Sequence, residues 1–484
     1  MRRARRVIVV VSAAGLALVG TAWAGKTPTA PAGLAFRPGV LLTTSGLPYG
    51  ITQGEPSIKV DSAGRIYVSA PAANGIGCEL WRLNSTLTQQ TFIRPPDNGV
   101  GGGDCDIAVS RTTPVGQSFP TLSYSSLYLA NFVVARSLDG GTTWSTSPVG
   151  SDWVGDDRQW NAAAEGSSVY MSYHIVTTNN IQIEKSTDGG LTYHVTTFPV
   201  PTTPGNGQAI DAAHLPQANM NNELGPIVVD FSSTAAVKPV YTIFTAPDSL
   251  SENTGSGDGS THTFNHDLFL AASTDGGVTW RDTLIFKGPV DRTYDHIFPS
   301  LAIDSGGGFW ATWVSDEEHV YVVHGTRASN GTVTWTAPKR IDTAATLANV
   351  YPWVVGGAAG RADVVWYSGT STDPTLTNND TTNDWSVRLA QLTWASKSGV
   401  TVAAQTVASD HVIRHGDICS KGVLCDPTAT GRNLLDFFQV ALMPDGRAAI
   451  AWADDHATPG AQIYVTVQCS GISATTGKAL TSTC

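Results

Sequence analysis

Carboxylates, with one arginine and one histidine among them, stand immediately before a series of apolar runs: Glu55, Asp104 with Asp106, Asp157 with Arg158, Glu223, Asp295 with His296, and Asp436. Carboxyl groups gathered at one place can divide the work of acid and base, as glycosidic cleavage requires, or grip cations and sugar hydroxyls. An arginine adds a planar fork that meets a carboxylate through two parallel hydrogen bonds. The densest group is Gly155-Asp156-Asp157-Arg158-Gln159-Trp160, in which Trp160 offers a flat face for a sugar ring. The same residues can serve structure alone, as an ion network and as packing, because such networks gather in the same places as active sites. Two acidic segments, Asp316-Glu317-Glu318-His319 and Asp454-Asp455-His456, carry the oxygen donors that Ca²⁺ prefers. Acidic loops are often simply solvated, so Ca²⁺ is the one cofactor the sequence suggests and none is required.

These residues need a scaffold, and the sequence repeats itself in a way that specifies one. Ser137-Leu138-Asp139-Gly140-Gly141-Thr142-Thr143-Trp144, Ser186-Thr187-Asp188-Gly189-Gly190-Leu191-Thr192-Tyr193 and Ser273-Thr274-Asp275-Gly276-Gly277-Val278-Thr279-Trp280 are copies of one octapeptide. Ala328-Ser329-Asn330-Gly331-Thr332-Val333-Thr334-Trp335 is a decayed copy. Such a segment is a folded turn: the Asp accepts backbone N–H groups, the glycines permit positive φ, and the aromatic packs back against a sheet. Asp139, Asp188, Asp275 and Asn330 are therefore read as structural.

A second repeat runs as strand, turn, strand: Pro56 to Ser69, Cys105 to Asn131, Trp160 to Tyr173, Ile227 to Thr245, Phe298 to Trp313, Tyr351 to Tyr367, and Phe437 to Trp452. Each half alternates or runs apolar, and no stretch shows helical periodicity. Seven such units predict an all-β propeller of seven blades, each of four antiparallel strands, with six blades as the alternative. In that register the turns between strands one and two and between three and four share one face. The blade-to-blade links and the longest excursions, Phe198 to Glu223, Ala246 to Asp267, Ser368 to Asp384 and Thr401 to Asp436, share the other, where propellers carry function. The strand-opening carboxylates then approach the mouth of the central channel on that second face.

The octapeptides resemble the Asp-box, or BNR, repeat of sialidases and related propellers, where it joins the third and fourth strands of a blade. Asp-Arg-x-Trp at Asp157 to Trp160 is similar to a segment that opens a blade in sialidase-like members. The resemblance implies exo-α-sialidase chemistry, in which arginines hold a substrate carboxylate and a tyrosine paired with a glutamate is the nucleophile. It implies Arg158, joined by Arg292, Arg414 or Arg432, as the carboxylate clamp, and Tyr294 or Tyr351 with Glu223 as the nucleophilic pair. Phe36-Arg37-Pro38 lacks the isoleucine of the family's Phe/Tyr-Arg-Ile-Pro motif. The catalytic set expected is Asp157, Arg158, Glu223, Asp295, His296 and Tyr351. A binding propeller without catalysis and a polysaccharide lyase are the alternative functions.

Composition narrows the partners. Arg2, Arg3, Arg5 and Arg6, an apolar stretch from Val7 to Val19 and Ala22-Trp23-Ala24 read as a signal peptide over residues 1–24. Residues 25–50 are a lead-in and 51–484 the propeller. Removing the four leader arginines from 29 basic residues leaves 25 against 40 acidic, a net charge of −15. That weighs against nucleic acid as a partner. The apolar stretch is shorter than the roughly 20 residues a membrane span needs. A secreted, monomeric protein acting on extracellular glycan or polysaccharide is expected. Its six cysteines are expected as disulfides Cys78–Cys105, Cys419–Cys425 and Cys469–Cys484.

Overall fold

Seven times the chain carries an apolar strand into a short polar turn and back, and each time the hairpin grows into an antiparallel sheet of at least four strands. The computed structural model describes residues 33–43, 53–72, 77–96, 103–175, 180–199, 222–246, 266–289, 294, 298–315, 319–342, 348–371, 382–419, 425, 430–456, 460–480 and 484, all within the unit Ala32–Cys484. The proposed leader lies outside these residues.

The innermost strands of blades 1 to 7 are Ser57–Val60, Cys105–Val109, Asp156–Ala163, Glu223–Val229, Ser300–Ile303, Asn349–Gly356 and Gln439–Leu442. Each touches the next in order, and the last returns to the first, which closes a seven-bladed β-propeller. Among the described residues the helical content is one 3₁₀ turn, Thr430–Arg432. No described helix is long and apolar enough to cross a membrane.

The ring is closed by strand exchange between the ends of the unit. Blade 7 takes three strands from the end of the chain, and its outer edge is supplied by Ala35–Phe36 and Val40–Leu41, both paired with Gln462–Ser470. Residues of the lead-in are thus part of the seventh sheet. This pairing covers an edge strand that would otherwise present unpaired N–H and C=O groups.

The tight turns follow from their side chains. Asp61 Oδ1 accepts the N–H groups of Ala63 and Arg65, each at 2.9 Å, and Asp304 Oδ1 accepts those of Gly306 and Gly308 at 2.9 and 3.0 Å. Between the third and fourth strands the octapeptides fold alike. Thr143, Thr192 and Thr279 give their N–H groups to Asp139, Asp188 and Asp275 at 2.9, 3.0 and 2.9 Å. Their hydroxyls reach the second carboxylate oxygen of the same aspartates. Burial acts on these carboxyls first and upward, yet the donated hydrogen bonds together hold all three below the usual range. The glycine pair lies at positive φ in each copy, for example 84° and 89° at Gly189 and Gly190, where a Cβ is disfavoured. In the decayed copy Asn330 Oδ1 instead accepts the N–H two residues on, from Thr332 at 3.0 Å.

Between blades the filling is aromatic: Trp81, Trp310, Trp313, Trp366, Trp385 and Trp452 are all fully buried. Three disulfides link Cys78 to Cys105, Cys419 to Cys425 and Cys469 to Cys484, as the cysteine positions suggested. One expected excursion is shorter than its boundaries implied. Gly399–Val407 is the fourth strand of blade 6, so the loop expected from Thr401 begins only after Val407.

Candidate functional site

Each inner strand starts on the face that carries the blade-to-blade links, so residues at these starts converge there. On blades 7, 1, 2 and 3 they form one buried ionic network. Arg158 Nη1 donates to Glu55 Oε2 at 3.0 Å, with both side chains about 5% exposed. Arg158 Nη2 donates to the carbonyls of Gln159 and Cys105 at 2.7 and 3.3 Å. Glu55 Oε1 accepts the N–H of Asp436 at 3.2 Å, and Asp436 is itself paired with Arg432. The half-buried Asp104 and Asp157 complete the group. Arg158 N–H lies 2.9 Å from Asp157 Oδ1 and 3.3 Å from Asp104 Oδ2, and the two carboxyl groups hydrogen-bond each other.

Local backbone geometry makes this possible. Asp156 and Asp157 are neighbours in a strand, where successive side chains leave on opposite faces. Asp156 turns inward to Ser151, and Asp157 to the mouth. A β-bulge then inserts Arg158 between the pairs Asp157–His174 and Gln159–Tyr173, with φ of 34°. The bulge re-aims the guanidinium toward blade 1. Glu55, Tyr351 and Leu435 are the other inner-strand approaches with positive φ, at 45°, 58° and 58°. Such conformations cost of order 1–3 kcal/mol each and persist where the surroundings over-determine them, often at functional sites.

The floor of the mouth is aromatic. Trp160, Phe298, Trp353 and Phe437, from blades 3, 5, 6 and 7, pack together, with Trp160 4.7 Å from Phe298 and 5.8 Å from Trp353 between ring centroids. Side chains from blades 3 and 6 can meet only across the ring axis, so these rings plug the channel. The Arg158 guanidinium rests on the plug, 4.6 Å from the Phe437 centroid and 5.2 Å from that of Trp160.

Electrostatics follow from burial without enough positive charge. Burial, then the charge of Asp104, pushes the Glu55 carboxyl up to about 7, although Arg158 and Arg432 pull it down. Burial likewise lifts Asp157 to about 7, helped by the charge of Asp104 and the hydrogen bond with it. The cluster therefore holds protons near neutrality and can give or take one there. Next to it stands His174, paired in register with Asp157 and within 3.0 Å of Asn222 Oδ1. Burial depresses its imidazole to about 4, so it is neutral.

The structure rearranges several sequence expectations. Asp157 and Arg158 are brought together with Glu55, Asp104 and Asp436. Asp106 is not at the mouth: it lies fully buried within its strand, where it accepts Asn161 N–H at 2.6 Å and faces Lys59 Nζ at 3.4 Å. Trp160 has no free face for a sugar, because the plug surrounds it. Glu223 opens blade 4, half-buried, with its carboxylate accepting Leu224 N–H at 3.1 Å. Tyr351 is buried in blade 6, and its hydroxyl donates to the Cys419 carbonyl at 3.0 Å. Tyr294 is buried against Phe286. Arg414 is bound to Asp455 and to the Asp417 carbonyl. Asp295, His296, Arg292 and Asp316 to Glu318 lie outside the described residues.

His174 and the plug residues Phe298, Trp353 and Phe437 escape sequence reasoning as site components. Counting antiparallel pairs outward from the turn at Glu165-Gly166 would place His174 opposite Arg158. The one-residue bulge moves it to Asp157.

The fold and the site together define a plugged seven-bladed propeller with a proton-holding carboxyl cluster at its loop-face mouth. No family model matches the chain, and no curated protein matches it. Among solved structures it is similar to the polysaccharide lyase Uly1, at 9% identity and a TM-score of 0.51, covering 88% of this chain and 93% of that one. It is also similar to an α-L-arabinanase from Penicillium chrysogenum complexed with arabinobiose (10% identity, TM-score 0.44, 90% and 98% covered) and to a Hadza microbial sialidase (12%, 0.40, 68% and 65%). At these identities the likeness extends to the fold.

Proposed function

We propose that this protein is a secreted glycan hydrolase of the sialidase-like propeller class, working through the carboxyl cluster at the loop-face mouth. The observation that carries the reading is the Asp104–Asp157 pair. The two carboxyl groups are half-buried side by side, and burial together with the charge of Asp104 lifts Asp157 to about 7, beside the Glu55–Arg158 ion pair.

In this mechanism Asp157 is the general acid, because it holds a proton near neutral pH and remains partly open to the loop face. It protonates the leaving glycosidic oxygen as the bond to the anomeric carbon breaks, water entering from the loop face adds to that carbon, and the proton this water sheds restores Asp157, whose acid form is favoured by burial and by the neighbouring charge of Asp104. Glu55 and Arg158 are too deeply buried to touch substrate. They are positioning residues that set the local charge and hold the bulge in place.

The exo-α-sialidase form of this reading asks for arginines available to a substrate carboxylate. Among the described residues Arg158, Arg414 and Arg432 are bound by Glu55, Asp455 and Asp436. That favours a glycan without an arginine-clamped carboxylate over a sialoside. The test is hydrolysis of a panel holding a fluorogenic sialoside, arabinans and other neutral polysaccharides, with Asp157→Asn run beside the wild type. Turnover of a neutral member, falling about 100-fold or more in the variant, supports the proposal. A silent panel, or a variant as active as the wild type, removes it.

A second reading, binding without catalysis, is favoured by the depth at which Glu55 and Arg158 are buried and paired with each other. It predicts that a glycan array binds wild type and Asp157→Asn alike and that nothing is released.

A further inference from the structure

A second cluster, made of other residues than the one at the channel mouth, lies on the loop face between blades 6 and 7. His411 lies between the fourth strand of blade 6 and Arg414–His415, which pairs back onto the third strand of that blade, and Asp454 and His456 are at the end of the second strand of blade 7. One ring nitrogen from each histidine and a carboxylate oxygen of Asp454 lie within 4.8 Å of one another. The Asp454 side chain is fully buried, while the two imidazoles remain about a quarter to a third exposed.

The arrangement of these groups suits a cation. His411 Nε2 is 2.8 Å from Asp454 Oδ2, and its Nδ1 is 2.9 Å from Asp410 Oδ1. A neutral imidazole carries one N–H, so it can donate to one of these carboxylates and must turn a lone pair on the other. The second imidazole, His456 Nδ1, faces the other oxygen of the same Asp454, and the two rings are 4.2 Å apart. One divalent ion can take a nitrogen from each ring and an oxygen of Asp454 together. The surrounding charge agrees, since among the described residues the ion pairs of Asp410, Asp454 and Asp455 include one arginine, Arg414, which is bound to Asp455.

We propose that His411, Asp454 and His456 form a divalent transition-metal site suited to Zn²⁺. Two nitrogen donors and one oxygen fit zinc, whereas Ca²⁺ takes oxygen ligands almost throughout. The outer contacts match the site. Asp410 on His411 Nδ1 fixes the tautomer that presents Nε2, and Trp452 Nε1–H and the His456 N–H orient Asp454 at 3.0 and 3.2 Å. Three protein donors leave a coordination position for water on the solvent side. A bound ion ties the outer part of blade 6 to blade 7, the blade that also receives the strands closing the ring.

The test uses the full chain, stripped with chelator and dialysed, then titrated with Zn²⁺ alone by calorimetry, with Ca²⁺ as competitor and the melting temperature followed in parallel. One Zn²⁺ per chain is expected, with a higher melting temperature on loading and no displacement by Ca²⁺. Affinity should fall at least tenfold in His411→Ala and His456→Ala, and about 10- to 100-fold in Asp410→Asn, which leaves all three ligands in place. Absence of stoichiometric uptake, affinity unchanged in both histidine variants, or displacement by equimolar Ca²⁺ would overturn the proposal.

Discussion

Arg158 and Glu55, 103 residues apart in sequence, form an ion pair of 3.0 Å that both flanking blades bury. Desolvating two charges is expensive, and removing one partner strands the other. Arg158→Met should therefore cost about 3–5 kcal/mol at pH 8. The cost should shrink at pH 5, where the orphaned Glu55 takes up a proton. Denaturant titrations of Arg158→Met, Glu55→Gln and the double variant give the coupling, and a value near zero would refute the pair's role.

Stability should fall as pH rises through the neutral range. Glu55 and Asp157 titrate near 7 in the folded protein, against ordinary values of 4.5 and 3.8. The folded state thus binds more protons than the unfolded state between those limits. The resulting stabilisation is complete below the ordinary values and lost as pH climbs through about 7. Melting temperatures between pH 5 and pH 8 should decline, with a shallower slope in Glu55→Gln and in Asp157→Asn. A profile that is flat, or equally steep in both variants, contradicts this.

The octapeptide aspartates should matter to stability and leave turnover intact. Asp188→Ala removes acceptors for Thr192 N–H, Thr192 Oγ1–H and Leu191 N–H. At roughly 0.5–1.5 kcal/mol per hydrogen bond, a loss of about 1.5–4.5 kcal/mol is expected in chemical denaturation. Gly190→Ala should be worse than a surface substitution, because a Cβ there meets the Ser123 Cβ at 2.6 Å. Catalytic loss in correctly folded Asp188→Ala would reverse the structural assignment.

Truncating the plug should loosen the mouth as well as the core. Trp160→Ala creates a cavity on the axis and removes a ring beneath Arg158, at a cost of about 3–5 kcal/mol. Tryptophan fluorescence and denaturant midpoints would register it. A variant as stable as the wild type would mean that the rings do not fill the channel.

Reduction of Cys78–Cys105 should destabilise by about 3.5 kcal/mol through chain entropy, since the bridge closes a separation of 27 residues. Melting of Cys78→Ser with Cys105→Ser against the wild type measures it.

Much of the fold was legible because its signals are local. Alternating strands, Asp-Gly turns and the octapeptide recur at each blade, and each is satisfied by hydrogen bonds within a few residues, as at Asp61 and Asp139. Repetition then gave the blade count, and the cysteine positions gave the disulfides. The site was legible as a set of strand-opening carboxylates and no further. Nothing in the segment around Asp157 announces a bulge, and without the bulge Arg158 would not point toward blade 1.

The sequence alone therefore determined an all-β, seven-fold repetitive chain and the strand starts that bear its titratable groups, because periodicity and turn chemistry act over a few residues. Tertiary structure decided which of those groups meet. Ring closure set Glu55 on Arg158, sent Asp106 inward, sealed the axis with Trp160 and Phe437, and brought His411 to Asp454. Those contacts join blades remote in sequence, and their energies depend on burial and distance that no local pattern encodes.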